Sequence, residues 1–255
     1  MNHGFDPRSY VPEPGLLAGR VIAITGPGEG IGHAVALAAA RHGARLVLIG
    51  RTVKKLEALH AQIEREGLPE ASIAPLDMER ALAPEYDAIA AAVLERYGRL
   101  DGLVHNAAEL GQLAPIGHYD MAAWCRVLHV NLTAAVALTQ VLLPALQASA
   151  DASVVWTSSS VGRKGRVYWG AYAVSKFGAE GLSQVLADEL QGNSNVRVNA
   201  LNPGATRTRM RLRAFPGEDA QQVTEPSAVT GPYLWLLGPG SRGVTGQSLD
   251  CQPKG

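Results

Sequence analysis

Tyr172 and Lys176 stand four residues apart in the stretch WTSSSVGRKGRVYWGAYAVSKFGAEGLSQVLAD, residues 156–188. On a helix that spacing puts both side chains on one face, one turn from each other. A phenol ordinarily titrates at about 10. It becomes a useful proton donor near neutrality when that value is brought down, and a neighbouring ammonium does so by favouring the phenolate. A run of serines, Ser158-Ser159-Ser160, precedes this segment and follows the apolar Val154-Val155-Trp156, which reads as a buried strand. A strand end, a loop and a helix start can therefore bring a serine hydroxyl, a tyrosine hydroxyl and a lysine to one point. Such a trio suits proton transfer to or from an oxygen. An isolated Tyr-x-x-x-Lys pair also fits a solvated helix face, so the reading depends on what the rest of the chain supplies.

Composition limits the scaffolds. The 255 residues are 47% apolar, enough for a full core, and the formal net charge is +0. That balance gives no general electrostatic reason to expect nucleic acid or an anionic membrane as partner. No apolar run approaches the roughly 18 residues of a membrane span, and the opening MNHGFDPRSYVPEPGLLAGR lacks the apolar centre of a signal peptide. Cys125 and Cys251, the only cysteines, have no paired spacing and read as reduced thiols of a cytoplasmic protein. The seven histidines form no ligand cluster, so no metal is expected, and they read mostly as surface or loop residues.

Residues 1–18, with Pro7, Pro12 and Pro14, read as an irregular arm ahead of a single domain, 19–255. Val21-Ile22-Ala23-Ile24 is a strand covered on both faces. It runs into Gly26-Pro27-Gly28-Glu29-Gly30-Ile31-Gly32 and then an alanine-rich helix stopped by Gly43. Strand, glycine turn and helix start form the context in which backbone N–H groups face a pyrophosphate, although such a turn can also serve packing alone. Further strands are expected at 45–49, 72–76, 100–105, 154–156, 196–201 and 245–250. Pro75 marks the third as an edge. Helices are expected at 53–66, through Ile89, Val93 and Tyr97, at 121–146 with Asn131 in the middle, at 172–190 and at 227–237. Strand alternates with helix throughout, the pattern of one Rossmann-like α/β fold with a doubly wound parallel sheet of about seven strands. The segment 205–223, rich in arginine and weakly periodic, interrupts that alternation where a substrate lid would sit.

Together these residues resemble the short-chain dehydrogenase/reductase superfamily over nearly all of 20–250. The matching set is Thr25-Gly26-x-x-x-Gly30-x-Gly32, Asn106-Ala107-Ala108, Asn131, Ser159, Tyr172-x-x-x-Lys176 and Pro203-Gly204, in the family's order and spacing. Closer still, SSSVGRKGRVYWGAYAVSKF and NPGATRTRMR look like its bacterial subgroup named after YciK. The resemblance implies transfer of a hydride between a nicotinamide cofactor and a small carbonyl or alcohol. Tyr172 would then be the general acid or base, and Ser159, thirteen residues earlier, would hydrogen-bond the substrate oxygen. Lys176 would lower the Tyr172 pKa and bind the nicotinamide ribose, and Asn131 would hold a relay water. The turn from Gly26 through Gly28, Glu29, Gly30 and Ile31 to Gly32 would cradle the pyrophosphate. Asp77 would reach the adenine, Asn106 and Ala107 would sit near the adenosine ribose, and Pro203, Gly204, Thr206 and Thr208 would contact the carboxamide or pyrophosphate. Two departures stand out: Ala108 replaces the usual glycine, and Asp250-Cys251-Gln252 lacks the usual paired glycines. An enoyl reductase would show a wider Tyr–Lys spacing, so carbonyl chemistry leads. The alternative is a dinucleotide-binding sensor or scaffold that keeps the fold without turnover.

Three further expectations follow. Where an acidic residue would pair with the ribose 2′-hydroxyl of NAD, the chain has Gly50 and Arg51. Arg51 can meet a 2′-phosphate, which points to NADP over NAD unless Glu29 turns inward. The 121–146 and 172–190 helices carry more apolar surface than one sheet face needs; in the family they pair with their copies, so a homodimer or homotetramer is expected. Lastly, Arg207, Arg209, Arg211 and Arg213, with Arg163 or Lys164, could receive an anionic substrate group near Tyr168 and Trp169. They could equally be spent on neighbouring carboxylates.

Overall fold

A computed structural model describes residues 6–253; residues 1–5 of the expected arm lie outside them. Seven parallel strands form one sheet in the order β3-β2-β1-β4-β5-β6-β7. They are β1 (Val21–Thr25), β2 (Arg45–Gly50), β3 (Ala71–Pro75), β4 (Gly102–His105), β5 (Ala152–Thr157), β6 (Val196–Asn202) and β7 (Ser248–Asp250). The edge position of β3 follows from Pro75, which has no N–H to donate onward. Along β1 the side chains alternate between two cores. Val21 and Ala23 join the face covered by α3 (Ala83–Tyr97), α5 (Ala134–Gln147) and α6 (Gly170–Leu190). Ile22 and Ile24 join the face covered by α1 (Gly30–Arg41), α2 (Val53–Arg65) and α8 (Thr230–Leu237). Both layers are closed, so the strands read as unbroken apolar runs.

The chain winds outward from β1 to β2 and β3, then returns to pair β4 with the other side of β1. That reversal opens a crevice beyond the carboxyl ends of β1 and β4, the general ligand position in such sheets. The opposite strand ends are tied by charge: Asp101 accepts from the Val21 N–H at 2.8 Å, and Asp151 pairs with Arg20 and Arg197, each at 3.2 Å.

Most element ends fall within two residues of expectation, and three larger differences stand out. The 121–146 helix is two helices, α4 (Met121–Leu128) and α5, joined by a π turn at His129–Thr133 that carries Asn131. The composite Met121–Gln147 is, by length and composition, apolar enough to cross a bilayer, although Arg126, His129 and Asn131 break the run in sequence. In the fold Ala134, Ala135, Leu138, Leu142 and Leu146 of α5 are buried in the core beside the sheet. Strand β7 starts at Ser248 rather than 245, and a 3₁₀ turn, Pro226–Val229, precedes α8. The arm is irregular but anchored, with Leu17 fully buried and Tyr10 and Leu16 packed on the α1–α8 layer.

Candidate active site

The crevice begins at the end of β1. Thr25 Oγ1 accepts hydrogen bonds from the N–H groups of Asn106 and Ala107, both at 3.0 Å, and so joins β1 to the loop after β4. Asn106 Nδ2 donates to the carbonyls of Thr25 and Gly26 at 3.2 Å each, so its side chain anchors the glycine turn. A Cβ on Gly32 would collide with that amide and with the Gly26 carbonyl, so only glycine lets the helix start come this close. The first-turn N–H groups of α1, which have no partner within their helix, face the space before the turn. The Thr208 methyl lies over Gly30 and bounds that space.

Glu29 is held outside it. Its carboxylate accepts from Lys55 at 2.5 Å and from Arg209 at 3.5 Å, and the Lys55 hydrogen bond keeps its pKa below the usual range. Arg51 is exposed, with a loose 3.8 Å contact to Glu79. Asp77 caps its own turn by accepting from the Glu79 N–H at 3.2 Å.

Tyr172 enters in the first turn of α6, with Lys176 one turn later, and both are buried. The Ser159 side chain lies close enough to the Tyr172 phenol to act on its ionisation. Lys176 Nζ donates to the Thr157 carbonyl at 2.6 Å and lies 5.6 Å from the Tyr172 ring centre. The three side chains expected at one point are thus together. The electrostatics differ from expectation, because burial dominates both groups. Loss of water pushes the Tyr172 phenol up to about 12, with Ser159 pulling weakly the other way. Burial lowers Lys176 to about 8, against the opposing pull of Glu180. At neutral pH the phenol is therefore protonated and the ammonium still charged.

Asn131 clips the loop after β4 to α6. Its Oδ1 accepts from the Glu109 N–H at 2.7 Å, and its Nδ2 donates to the Glu109 carbonyl at 2.9 Å and to Ser175 Oγ at 3.0 Å. Ser175 in turn donates to the Tyr172 carbonyl at 2.7 Å. Both Nδ2 hydrogens of Asn131 are thus taken, and its Oδ1 accepts one hydrogen bond.

Sequence reasoning passed over Glu180. This buried carboxylate accepts from Ser158 and Ser248, each at 2.5 Å, and from Arg163 at 3.2 Å. Arg163 also reaches Asp250 at 2.7 Å and the Leu249 carbonyl at 2.6 Å. It is therefore a strut between β7 and α6, which corrects its suggested part in substrate binding. His105, at the end of the expected fourth strand, is buried: it stacks on Trp156 at 4.1 Å, and burial drives its pKa down to about 3. Among the described residues no group of three His, Cys, Asp or Glu side chains could hold a metal.

The segment 205–223 crosses the mouth of the crevice. Thr206 Oγ1 reaches the Gly204 carbonyl at 3.3 Å, and Thr208 caps α7 (Arg209–Ala214) by accepting from the Arg211 N–H at 3.1 Å. Helical geometry spreads the arginines instead of aligning them. Arg207 pairs with Glu225, Arg209 with Glu29, and Arg211 with both oxygens of Glu218. Arg211 also lies 3.7 Å over the Phe215 ring, and Trp169 stands 5.7 Å from both Phe215 and Tyr172. Three of the four arginines are thus spent on carboxylates, and an aromatic file runs from Phe215 through Trp169 to Tyr172. Tyr168 is exposed, with φ at 73°.

Residues 20–219 match the family model described as short chain dehydrogenase. The chain is 44% identical to the uncharacterized oxidoreductase YciK of Escherichia coli K12 over 244 residues, 96% of each protein. A solved short-chain-dehydrogenase structure from Pseudomonas syringae superposes with a TM-score of 0.94 at 49% identity, covering 96% of this chain and 99% of the other. Another, from Escherichia coli CFT073 in complex with NADPH, gives 0.91 at 45% identity, covering 95% and 100%.

Proposed function

This chain belongs to the short chain dehydrogenase family, and from that membership we propose that it is an NADP(H)-preferring oxidoreductase acting on a carbonyl/alcohol pair, with Tyr172 as the proton donor. The observation that carries the reading is the meeting of Tyr172, Ser159 and Lys176, with Lys176 one turn along α6, at the carboxyl edge of the sheet beside the β1/β4 crevice. The relative from Escherichia coli CFT073 binds NADPH in its solved structure. Here the glycine turn leaves a cradle that side chains would fill, and Arg51 stands exposed after β2 where a 2′-phosphate would come.

The cofactor, when bound, supplies or takes the hydride. Gly26 to Gly32, Asn106, Ala107, Pro203, Gly204, Thr206 and Thr208 would hold its phosphates, sugars and carboxamide, with Asp77 toward the adenine. In carbonyl reduction Tyr172 gives its proton to the substrate oxygen while Ser159 donates a hydrogen bond to the same atom, easing the charge that builds there. The Lys176 ammonium stabilises the phenolate left behind, and Asn131 orders the loop and helix through which that proton is replaced. Trp169 and Phe215 keep water from the reacting oxygen. The same proposal includes at least a homodimer, supported by Val136 on α5 and Val174, Phe177 and Val185 on α6, all exposed on neighbouring helices. A cytoplasmic setting is the corresponding expectation for two free thiols.

A screen of aldehydes and ketones with NADPH and NADH, followed at the reduced-cofactor absorbance, tests the reading. Oxidation of NADPH by at least one carbonyl, abolished in Tyr172→Phe, is the expected result. Tight NADPH binding with no turnover across the screen would favour the sensor or scaffold instead.

A further inference from the structure

Where the family resemblance would set paired glycines after β7, the chain has Gln252, whose side-chain amide makes three hydrogen bonds. Gln252 follows β7 directly. Its Nε2 donates to the Pro203 carbonyl at 2.7 Å and to the Ala205 carbonyl at 2.9 Å, spanning the turn after β6. Its Oε1 accepts from Thr224 Oγ1 at 2.8 Å. The opposite amide orientation would set Oε1 against two carbonyls, so the network fixes which end is which. Gly204, at φ +75°, lies under the amide, and a Cβ there would meet Nε2 at 2.9 Å.

Pro203 and Ala205 mark where the segment over the crevice leaves the sheet, and Thr224 marks where it returns. One amide therefore grips both feet of the segment. The two feet also touch directly, through a parallel bridge between Thr206 and Thr224 and an Arg207 N–H to Thr224 carbonyl hydrogen bond of 2.8 Å. Gln252 is itself held from below: the Cys251 N–H donates to the Asn202 carbonyl at 2.8 Å, and Asn202 Nδ2 donates to Asp250 at 2.8 Å. Arg163 joins Asp250 to Glu180 and thus to Ser158, beside the catalytic serine.

We propose that Gln252 is a positioning residue that latches the base of the 205–223 lid and fixes the 203–205 turn against the cofactor. The assignment rests on the dinucleotide reading of the crevice. The latch divides into two halves, since the Nε2 bonds set the cofactor turn and the Oε1 bond sets the far foot of the lid. Gln252→Met, of similar length, removes both halves, whereas Thr224→Val removes only the second.

The lid itself carries a reporter, because Arg207, Arg209, Arg211 and Arg213 are all trypsin sites between the two feet. With the full-length protein, cleavage within 207–213 is timed by mass spectrometry, and NADPH binding is measured by fluorescence titration. Losing two or three ordinary hydrogen bonds should open the lid about tenfold or more often. Gln252→Met is therefore expected to be cut there at least about tenfold faster, with sites elsewhere unchanged, and to bind NADPH at least about fivefold more weakly. Thr224→Val should show faster cutting and a smaller change in NADPH affinity. Cutting within twofold of the unsubstituted rate in both variants overturns the latch. Faster cutting with an unchanged NADPH dissociation constant overturns the positioning role. If Gln252→Met does not fold, Thr224→Val decides: more than twofold faster cutting supports the latch and less overturns it. If the unsubstituted protein binds no NADPH, the proposed function fails, and the cutting rates still decide the latch.

Discussion

Glu180 lies one helical turn beyond Lys176 on α6, and it grips Ser158, the residue between the carbonyl that receives the Lys176 ammonium and the serine that meets Tyr172. The carboxylate thus acts on the lysine twice, by charge and by fixing the strand end to which the lysine points. Replacing it with glutamine keeps the shape and removes the charge. The alkaline limb of kcat/KM for carbonyl reduction should stand near the Lys176 value of about 8 in the unsubstituted protein. In Glu180→Gln it should move to lower pH, because burial then acts unopposed. His105 faces the lysine from β4 but stays neutral in this range and should not contribute. A limb that does not move would mean that another group sets it.

The same lysine makes a stability prediction. Its folded value, about 8, lies below its ordinary 10.5, so between those two pH values the unfolded chain binds more protons than the folded one. Stability from this group must therefore rise as pH climbs through that window. Urea unfolding of the unsubstituted protein and of Lys176→Met at pH 8 and 9.5 should show the unsubstituted protein gaining relative to the variant. A constant difference between them would count against a buried, charged lysine.

Removing only the phenolic oxygen, in Tyr172→Phe, should lower turnover by about 10² to 10⁴-fold, the usual range for a lost general acid. NADPH affinity should change little. Retained activity would exclude Tyr172 as the proton donor.

Cofactor choice turns on two cations close in sequence. Lys55 is committed to Glu29, whereas Arg51 has only the loose contact to Glu79. Arg51→Ala should weaken NADPH binding by roughly tenfold, in keeping with one lost charge-assisted contact, and leave NADH binding nearly unchanged. Equal or tighter NADH binding by the unsubstituted protein would refute the preference.

Light scattering at micromolar concentration should give at least a dimer mass. Phe177→Asp, which sets a charge on the exposed apolar face of α6, should shift the protein toward monomer without unfolding it. A monomeric unsubstituted protein would remove the oligomer from the proposal.

Much of this could be read before any coordinates. The doubly wound sheet is written in apolar runs with turn residues between them, and Tyr172 and Lys176 announce themselves by helical spacing. Glu180 and Gln252 escaped because their partners are remote: Ser248 is 68 positions from Glu180, and Pro203 is 49 from Gln252. No local periodicity marks such pairs. The raised phenol and lowered ammonium were missed for a related reason. Spacing reports that two charges are near each other, but how much water both have lost depends on the whole fold. The alternating arginines left two readings open, since the carboxylates that claim Arg207 and Arg211 stand on separate turns downstream.

The π turn at His129–Thr133 has a consequence for how this chain can change. It holds one surplus residue in a widened turn between α4 and α5, so the helices on either side keep a common phase. Deleting one position between 129 and 133 would mend the helix and leave Leu138, Leu142 and Leu146 facing the sheet. The loss would fall on Asn131 and its clip to Glu109 and Ser175. A one-codon deletion inside α5 has no such slack, because each residue advances a helix by about 100°, and it would roll those leucines off the sheet.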